Sequence, residues 1–220
     1  DIPPELILQL MPIFHKKYVG TDFSNFKCRM VLLGNHWRNT HGIDTYASMV
    51  DMDTMKLILS VAAAADLDLF GMDVIGAFLT TTVNKKRQPR SVLDPPQPNN
   101  TYYMRRPPGV TDSEMPYISQ PGAFVYGHPL ANPEFTEDLH ECLVDVGFVP
   151  STYNNNVYIL NNHLGTAILA RAVDDMPTAY TGGQNMKDFI VQGIKNIYPI
   201  TEADPLETIL GMEILRDRQH

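Results

Sequence analysis

The sequence predicts an α+β fold, and three observations support that class. Hydrophobic residues make up 44% of the 220 residues, which is enough to bury a core, and charged residues make up only 19%, which argues against disorder. Segments with helical and with strand periodicity also intermix, without the strict strand–helix–strand repeat of a parallel α/β fold. The length suits one large domain or two closely joined subdomains.

The N-terminal part predicts a β-hairpin with basic residues on one face. Residues 12–18 alternate apolar and basic side chains, and residues 26–33 continue as a second apolar strand that carries Lys27 and Arg29. The segment 20–22 between them has the turn-like composition Gly-Thr-Asp.

Residues 53–65 predict the first helix. Thr54 can cap its start, because a threonine hydroxyl can accept a hydrogen bond from a free N–H of the first turn. Apolar residues recur at helical spacing and form a stripe of Leu57, Ile58, Val61 and Ala65.

The remaining elements are read from the same two periodicities. Two further helices are expected, over 135–146 and 186–197. Strands are expected over 67–69 with Asp73 and Val74 after it, and over 102–104, 157–160, 166–173 and 209–215. Residues 84–100 contain four prolines and a basic run without apolar periodicity, so they predict a loop.

Bulk properties exclude several classes of protein. Cys28 and Cys142 fit neither a zinc spacing nor a disulfide framework, so a reducing, intracellular compartment is expected. No apolar run approaches the roughly 20 residues that a membrane span needs, so no membrane is expected as a partner. The start lacks a signal sequence and leads us to expect a fragment of a longer chain. The net charge of −8 disfavours nucleic-acid binding unless basic residues cluster locally.

Three acids are the strongest candidates for chemistry. Asp73 follows one apolar strand, and Asp174 and Asp175 follow another. Adjacent carboxylates repel each other unless a cation offsets their charge, and Mg²⁺ prefers such hard oxygen ligands. Two such ions can clamp the attacking and leaving oxygens of a phosphoryl transfer. An isolated Asp-Asp pair is more often a solvated turn, so the pair alone is weak evidence.

Seven segments, which include the three acids, follow one another in a particular order along the chain. The segments are Lys27–Gly34, Gly42–Asp44, Met72–Leu79, Tyr103–Gly109, Val125–Gly127, Ala172–Asp175 and Leu210–Ile214. The series as a whole, from about Met11 to Arg216, resembles the reverse transcriptase of copia-type LTR retrotransposons.

The resemblance implies a reverse-transcriptase-like domain over 1–220, with an antiparallel palm sheet packed on helices and a thumb that is lacking or incomplete. It implies fingers at about 10–65 and 100–130, and a palm at about 66–83 and 131–220. The proline-rich basic loop 84–100 would then be an insertion.

The resemblance also implies roles for the acids and the primer contact. Asp73 and Asp174, with Val74, would hold two Mg²⁺ or Mn²⁺ ions, and Asp175 would support them. The segment Leu210, Gly211, Met212 and Glu213 resembles the hairpin that grips the primer in this family, although a simple edge strand would have the same sequence pattern.

Contacts to the nucleotide are implied in the other half of the chain. Lys17, Lys27 and Arg29 would grip the triphosphate, with a solvated hairpin face as the alternative reading of the two lysines. Phe78 would lie beneath the sugar and reject a 2′-hydroxyl, although ordinary core packing explains a phenylalanine equally well. Tyr126 and Gly127 resemble the segment beside the nucleotide and template.

Three departures from the resembled family surround these residues. Ala172 replaces the usual tyrosine before Val-Asp-Asp, and Pro177 follows the acids where the return strand of the hairpin is expected to run. His128 to Pro133 replace a segment that contains a lysine in the family.

The first functional hypothesis is therefore an RNA-directed DNA polymerase of weakened activity. It would act on an RNA or DNA template–primer and dNTP, beside ribonuclease H and integrase in a longer polyprotein, in a cytoplasmic particle or the nucleus. The alternatives are a degenerate or domesticated copy without catalysis that serves as a structural or binding module, and an unrelated metal-dependent phosphotransfer enzyme with a similar palm.

Overall fold

The computed structural model describes residues 4–19, 22–36, 45–81, 102–105, 117–119 and 123–217, without the side chains of Glu5, Lys17–Val19, His36 and Tyr117–Ser119. The expected loop 84–100, Gly20 and Thr21 of the expected turn, and the segments Gly42–Asp44 and Arg106–Gly109 lie outside these residues. The described chain divides into two compact units, Asp1–Tyr46 with Phe78–Phe135 and Ala47–Ala77 with Thr136–His220.

Helices and antiparallel sheets intermix in the described residues, which confirms the α+β class. The helices are α1 (Met52–Ala64), α2 (Ala77–Thr80), α3 (Ala131–Val146) and α4 (Gly183–Lys195). The strands are β1 (Ile7–Val19), β2 (Asp22–Leu32), β3 (Asp68–Gly71), β4 (Tyr103–Arg105), β5 (Tyr117–Ser119), β6 (Val149–Pro150), β7 (Val157–Asn162), β8 (Gly165–Ala170), β9 (Thr178–Tyr180), β10 (Asp204–Pro205), β11 (Thr208–Ile209) and β12 (Met212–Glu213).

The first unit is built on a sheet with the described strand order β2-β1-β4-β5. Strands β1 and β2 form the expected N-terminal hairpin, paired from Leu10 opposite Leu32 to Val19 opposite Asp22. Strand β4 pairs parallel to the start of β1, and β5 pairs antiparallel to β4. The core of this unit contains Leu8, Leu10, Leu32, Tyr102, Met104, Phe124, Leu130 and Ala131.

The second unit is built on an antiparallel sheet with the described order β10-β3-β9-β8-β7-β6. Helices α1 and α4 both contact strand β9. Helix α1 buries Met55, Ile58 and Ala62, and α4 buries an apolar stripe of its own. The core around α1 joins these side chains to Val157, Ala170, Ala172, Ala179 and Ile209.

Two expectations for α1 are wrong. Asp51 caps the helix, since its carboxylate accepts hydrogen bonds from the N–H and the hydroxyl of Thr54 at 2.8 and 2.7 Å. The buried face is also rotated from the expected stripe, because Leu57 and Val61 are 64% and 41% exposed.

Helix α3 begins four residues earlier than expected. Pro133 lies in its first turn, where a missing N–H costs little because N–H groups of the first turn have no carbonyl partner within the helix. The expected closing strand 209–215 is wrong, because the chain forms the hairpin β11–β12 there. The expected strand 166–173 ends at Ala170, since the chain turns tightly after it.

Candidate active site

Asp73 lies on an irregular continuation of β3 that has hydrogen-bonded neighbours on both sides. On one side, the Met176 N–H donates to the Met72 carbonyl and the Val74 N–H donates to the Asp174 carbonyl, at 2.8 and 3.2 Å. Asp73 itself lies opposite Asp175 in an antiparallel bridge. The backbone therefore brings Asp73 beside the Asp174–Asp175 pair, 101 residues or more away in sequence.

Asp174 lies in a tight turn between the two strand segments. Ala172 and Asp175 exchange both backbone hydrogen bonds, at 2.9 and 3.2 Å, which leaves Val173 and Asp174 as the turn residues. Val173 has φ +65°, a left-handed conformation that β-branched residues rarely adopt. Such strain costs about 1–2 kcal/mol and tends to occur at functional sites, where the surrounding structure holds it in place.

The acids of this turn influence each other. Partial burial raises the pKa of the Asp175 carboxyl, and the nearby negative charge of Asp174 raises this pKa further. Like charges that crowd in this way favour a bound cation, and carboxylate oxygens suit Mg²⁺ or Mn²⁺, so the donor chemistry fits a divalent ion. Across the described ranges, however, no three His, Cys, Asp or Glu side chains gather in a group that could hold a metal.

A cavity of about 470 Å³ opens beside Asp73 and Asp175. The segment 201–209 lines the rest of it and contributes three further acids that the sequence did not single out, Glu202, Asp204 and Glu207. Thr201 also lines the cavity, and its hydroxyl accepts a hydrogen bond from the Asp73 N–H at 3.0 Å. No local sequence pattern connects Thr201 to Asp73, so sequence reasoning could not have found this contact.

Three of the residues implied in nucleotide binding meet in the first unit. The Arg29 guanidinium lies over the Tyr126 ring, 5.8 Å from its centroid. The Phe78 ring packs edge-on against Tyr126 at 5.3 Å and against Phe135 at 6.0 Å. Phe78 is only half-buried, so it has a packing role and still presents part of its ring.

The hairpin β1–β2 is locally basic. Its strands contain three lysines and one arginine against one aspartate, a net charge of +3 in a chain of net charge −8. Lys27 is exposed and pairs opposite His15, and Lys17 pairs opposite Asn25 although its side chain lies outside the described part. The hairpin is therefore a local basic cluster in an acidic chain.

Gly127 has a structural role that the sequence did not indicate. Its φ is +85°, and a Cβ there would lie 2.2 Å from the Leu32 carbonyl oxygen. The neighbouring Tyr126 carbonyl accepts a hydrogen bond from the Leu32 N–H at 2.7 Å. The segment around Tyr126 is thus fastened to the end of β2 by close backbone contact that only glycine permits.

The segment Leu210–Glu213 forms a hairpin turn. Leu210 and Gly211 both have positive φ, +48° and +76°, as in the two-residue turns that match the twist of a hairpin. Ile209 pairs with Met212 and is buried, whereas Glu213 is exposed. The hairpin is therefore packed on the core of the second unit through one face.

The departures around the acids are accommodated in the fold. Ala172 is 5% exposed and packs in the core of the second unit. The return strand does run through Pro177, whose carbonyl accepts from the Ala170 N–H at 3.0 Å. Only the reciprocal hydrogen bond is absent there, because proline has no N–H to donate.

His128 is buried in the first unit, against the rings of Tyr102 and Phe124 at 4.5 and 4.9 Å. This burial lowers the pKa of His128 to about 4, so the ring is neutral at neutral pH. The side chain at this position therefore belongs to the core.

Among the described helices, none is long and apolar enough to span a membrane. A family model described as "Reverse transcriptase (RNA-dependent DNA polymerase)" matches residues 8–220. The chain is 25% identical over 210 residues to "Retrovirus-related Pol polyprotein from transposon RE2" and 24% identical to that from transposon RE1, both of Arabidopsis thaliana. Each match covers 93% of this chain and 13% of the relative, and no solved structure matches significantly.

The matched range covers nearly the whole chain and includes Asp73, Asp174 and Asp175. The two relatives are transposon polyproteins, which confirms the resemblance to copia-type elements. The chain therefore belongs to the reverse transcriptase (RNA-dependent DNA polymerase) family.

Proposed function

We propose that this chain is the fingers and palm of an RNA-directed DNA polymerase from a copia-type retrotransposon. The observation that carries the proposal is the backbone pairing of Asp73 with the Asp174–Asp175 turn, since the chemistry needs these acids together. Family membership supports the same activity.

In this proposal, Asp73 and Asp174, with Val74, hold two divalent cations and Asp175 supports them. Bound there, two such ions would supply positive charge that activates the primer 3′-hydroxyl and offsets charge on the departing pyrophosphate. The acids would have to draw their carboxylates together on binding, because the described side chains do not yet form a metal-binding group. Burial raises the pKa of Asp175, and the negative charge of Asp174 raises it further; this repulsion supports the proposed role, since a cation between the acids would relieve it.

Residues of the first unit would orient the reactants in this proposal. The primer hydroxyl attacks the α-phosphorus of the dNTP, and the bond to pyrophosphate breaks. Arg29, with Lys17 and Lys27, would bind the triphosphate, which the +3 charge of the hairpin supports. Phe78 would lie under the sugar, and Tyr126 and Gly127 beside the nucleotide and template.

The hairpin segment Leu210–Glu213 would hold the primer. Its tight turn and the packing of Leu210 and Met212 against the core support a rigid contact of this kind. The substrate would be an RNA or DNA template–primer, read by the same active site.

We assign the fingers to about 10–65 and 100–130 and the palm to about 66–83 and 131–220, with 84–100 as an insertion. By these bounds helix α1 belongs to the proposed fingers, but it packs in the core of the second unit, so the compact unit begins at Ala47, earlier than the proposed palm boundary. Because the chain matches only 13% of each relative's length, we expect it to work within a longer polyprotein that carries ribonuclease H and integrase.

Primer extension on an RNA template tests the proposal. Wild type should extend a DNA primer with Mg²⁺ or Mn²⁺. Asp174→Asn should lose more than about a hundredfold in rate, since even indirect partners of metal ligands are worth ten- to a hundredfold. The control Asp204→Asn changes an acid of the cavity beside Asp73 and Asp175 that has no assigned role, and this variant should extend normally. Equal extension by wild type and Asp174→Asn would refute the assignment.

One observation favours a second function, a folded copy without polymerase activity. Ala172 fills the position of the family's tyrosine and is packed in the core, so no aromatic ring can brace a primer end from there. A wild-type protein that binds template–primer but extends no primer under either metal would support this alternative.

A further inference from the structure

On the side away from the acidic turn, the backbone of Asp73 is hydrogen-bonded to one residue, Thr201. The Thr201 N–H donates to the Asp73 carbonyl at 2.9 Å, and the Thr201 hydroxyl accepts from the Asp73 N–H at 3.0 Å. The next residues continue the pairing, because the Ile75 N–H donates to the Pro199 carbonyl at 2.8 Å.

The hydroxyl completes a ladder that the backbone alone leaves open. In an antiparallel sheet, alternate residues bond to opposite neighbours, so Met72 and Val74 face the turn with the acids while Asp73 faces Thr201. A regular strand would offer a carbonyl to the Asp73 N–H. Here a threonine side chain takes that place, at a residue whose carboxylate is proposed to bind metal.

We propose that Thr201 is a positioning residue for Asp73, which fixes the backbone of that residue so that its carboxylate approaches the metal in one orientation. This inference rests on the proposed function. The Thr201 side chain acts through Asp73, and both line the same cavity. Residues that hold a metal ligand in place typically contribute ten- to a hundredfold to metal affinity.

The chain offers a matched control for the test. Thr181 makes the same pair of contacts with Thr166: its N–H donates to the Thr166 carbonyl at 2.9 Å, and its hydroxyl accepts from the Thr166 N–H at 2.9 Å. Thr181→Val therefore removes an equivalent hydrogen bond from the same unit at a place outside the acid-lined cavity.

The experiment measures Mn²⁺ binding to the full chain by electron paramagnetic resonance, together with urea unfolding. Thr201→Val should weaken Mn²⁺ binding by about tenfold, because it keeps the shape but loses the hydroxyl. Thr201→Ser should restore binding to near the wild-type value. Thr181→Val should lower stability comparably and leave Mn²⁺ affinity unchanged.

The possible outcomes distinguish failure of the positioning role from failure of the proposed function. The positioning role is overturned if Thr201→Val binds Mn²⁺ as tightly as wild type, or if Thr181→Val loses as much Mn²⁺ affinity as Thr201→Val. The proposed function still stands in either case if Asp73→Asn abolishes Mn²⁺ binding. Mn²⁺ binding that Asp73→Asn does not weaken overturns the proposed function, and the positioning role with it.

Discussion

Replacing Gly127 by alanine should destabilise the protein by about 2–5 kcal/mol, and two terms contribute to that figure. Its φ of +85° disfavours any L side chain by about 1–2 kcal/mol. The added Cβ would also lie 2.2 Å from the Leu32 carbonyl oxygen and 2.8 Å from a Val31 methyl carbon. Overlap in a packed site adds about 1–3 kcal/mol.

Gly211→Ala isolates the first term. Gly211 has a similar φ of +76°, but a Cβ there would meet nothing within 4 Å, so only the backbone cost of about 1–2 kcal/mol remains. Urea unfolding followed by far-ultraviolet circular dichroism gives the free energy of unfolding of wild type and both variants. If Gly127→Ala costs no more than Gly211→Ala, the close backbone approach of residue 127 to β2 is wrong.

Three further changes test other parts of the structure. Val173→Gly should raise the free energy of unfolding by about 0.5–1 kcal/mol, because glycine relieves the strain at φ +65° and the larger loss of backbone entropy on folding cancels only part of that gain. A lower free energy of unfolding in the same urea titration would show that the turn is unstrained. His128→Asn should flatten the dependence of folding stability on pH. The pKa of His128 is lowered to about 4 in the folded protein, so as the pH falls below 6.5 the unfolded chain binds the proton before the folded chain does. Wild type should therefore lose up to about 1.4 kcal/mol of stability per pH unit between these values, and the variant should not show this loss. Parallel slopes of wild type and variant between these pH values would contradict that burial. Arg171→Met should lower the free energy of unfolding by about 3 kcal/mol, because the buried guanidinium donates to the Thr136 hydroxyl at 2.7 Å and to the Ser48 carbonyl at 3.0 Å. The melting temperature should fall accordingly, and an unchanged melting temperature would exclude these hydrogen bonds.

The pattern of the sequence was informative where one local rule decides the structure. Helices α3 and α4 follow from periodicity, because each buries an apolar face. The N-terminal hairpin follows from two strand-like segments on either side of a turn, although most of β2 is exposed. The proximity of Asp73 to the acidic turn is implied only by the resemblance, since it depends on pairing between strands about a hundred residues apart.

Other features depend on choices that a single sequence leaves open. Both Asp51 and Thr54 can cap a helix start, and the structure uses Asp51 as acceptor and Thr54 as donor. Leu57 and Val61 fit a helical stripe, but α1 meets the core through Met55 and Ile58. The two possible caps are three positions apart, and the expected and observed apolar faces share Ile58, so tertiary packing selects between such alternatives.

The contact between Thr201 and Asp73 could not have been predicted. The two residues are 128 positions apart, and the segment around Thr201 has neither a motif nor a clear periodicity. A hydroxyl in the place of a backbone carbonyl is visible only when the two segments lie side by side.

Anomalous diffraction from crystals grown with Mn²⁺ tests the proposed metal site most directly. We expect a Mn²⁺ peak coordinated by carboxylate oxygens of Asp73 and Asp174, and the loss of that peak in Asp174→Asn. A Mn²⁺ peak held only by Glu202, Asp204 or Glu207, which line the same cavity, would contradict it.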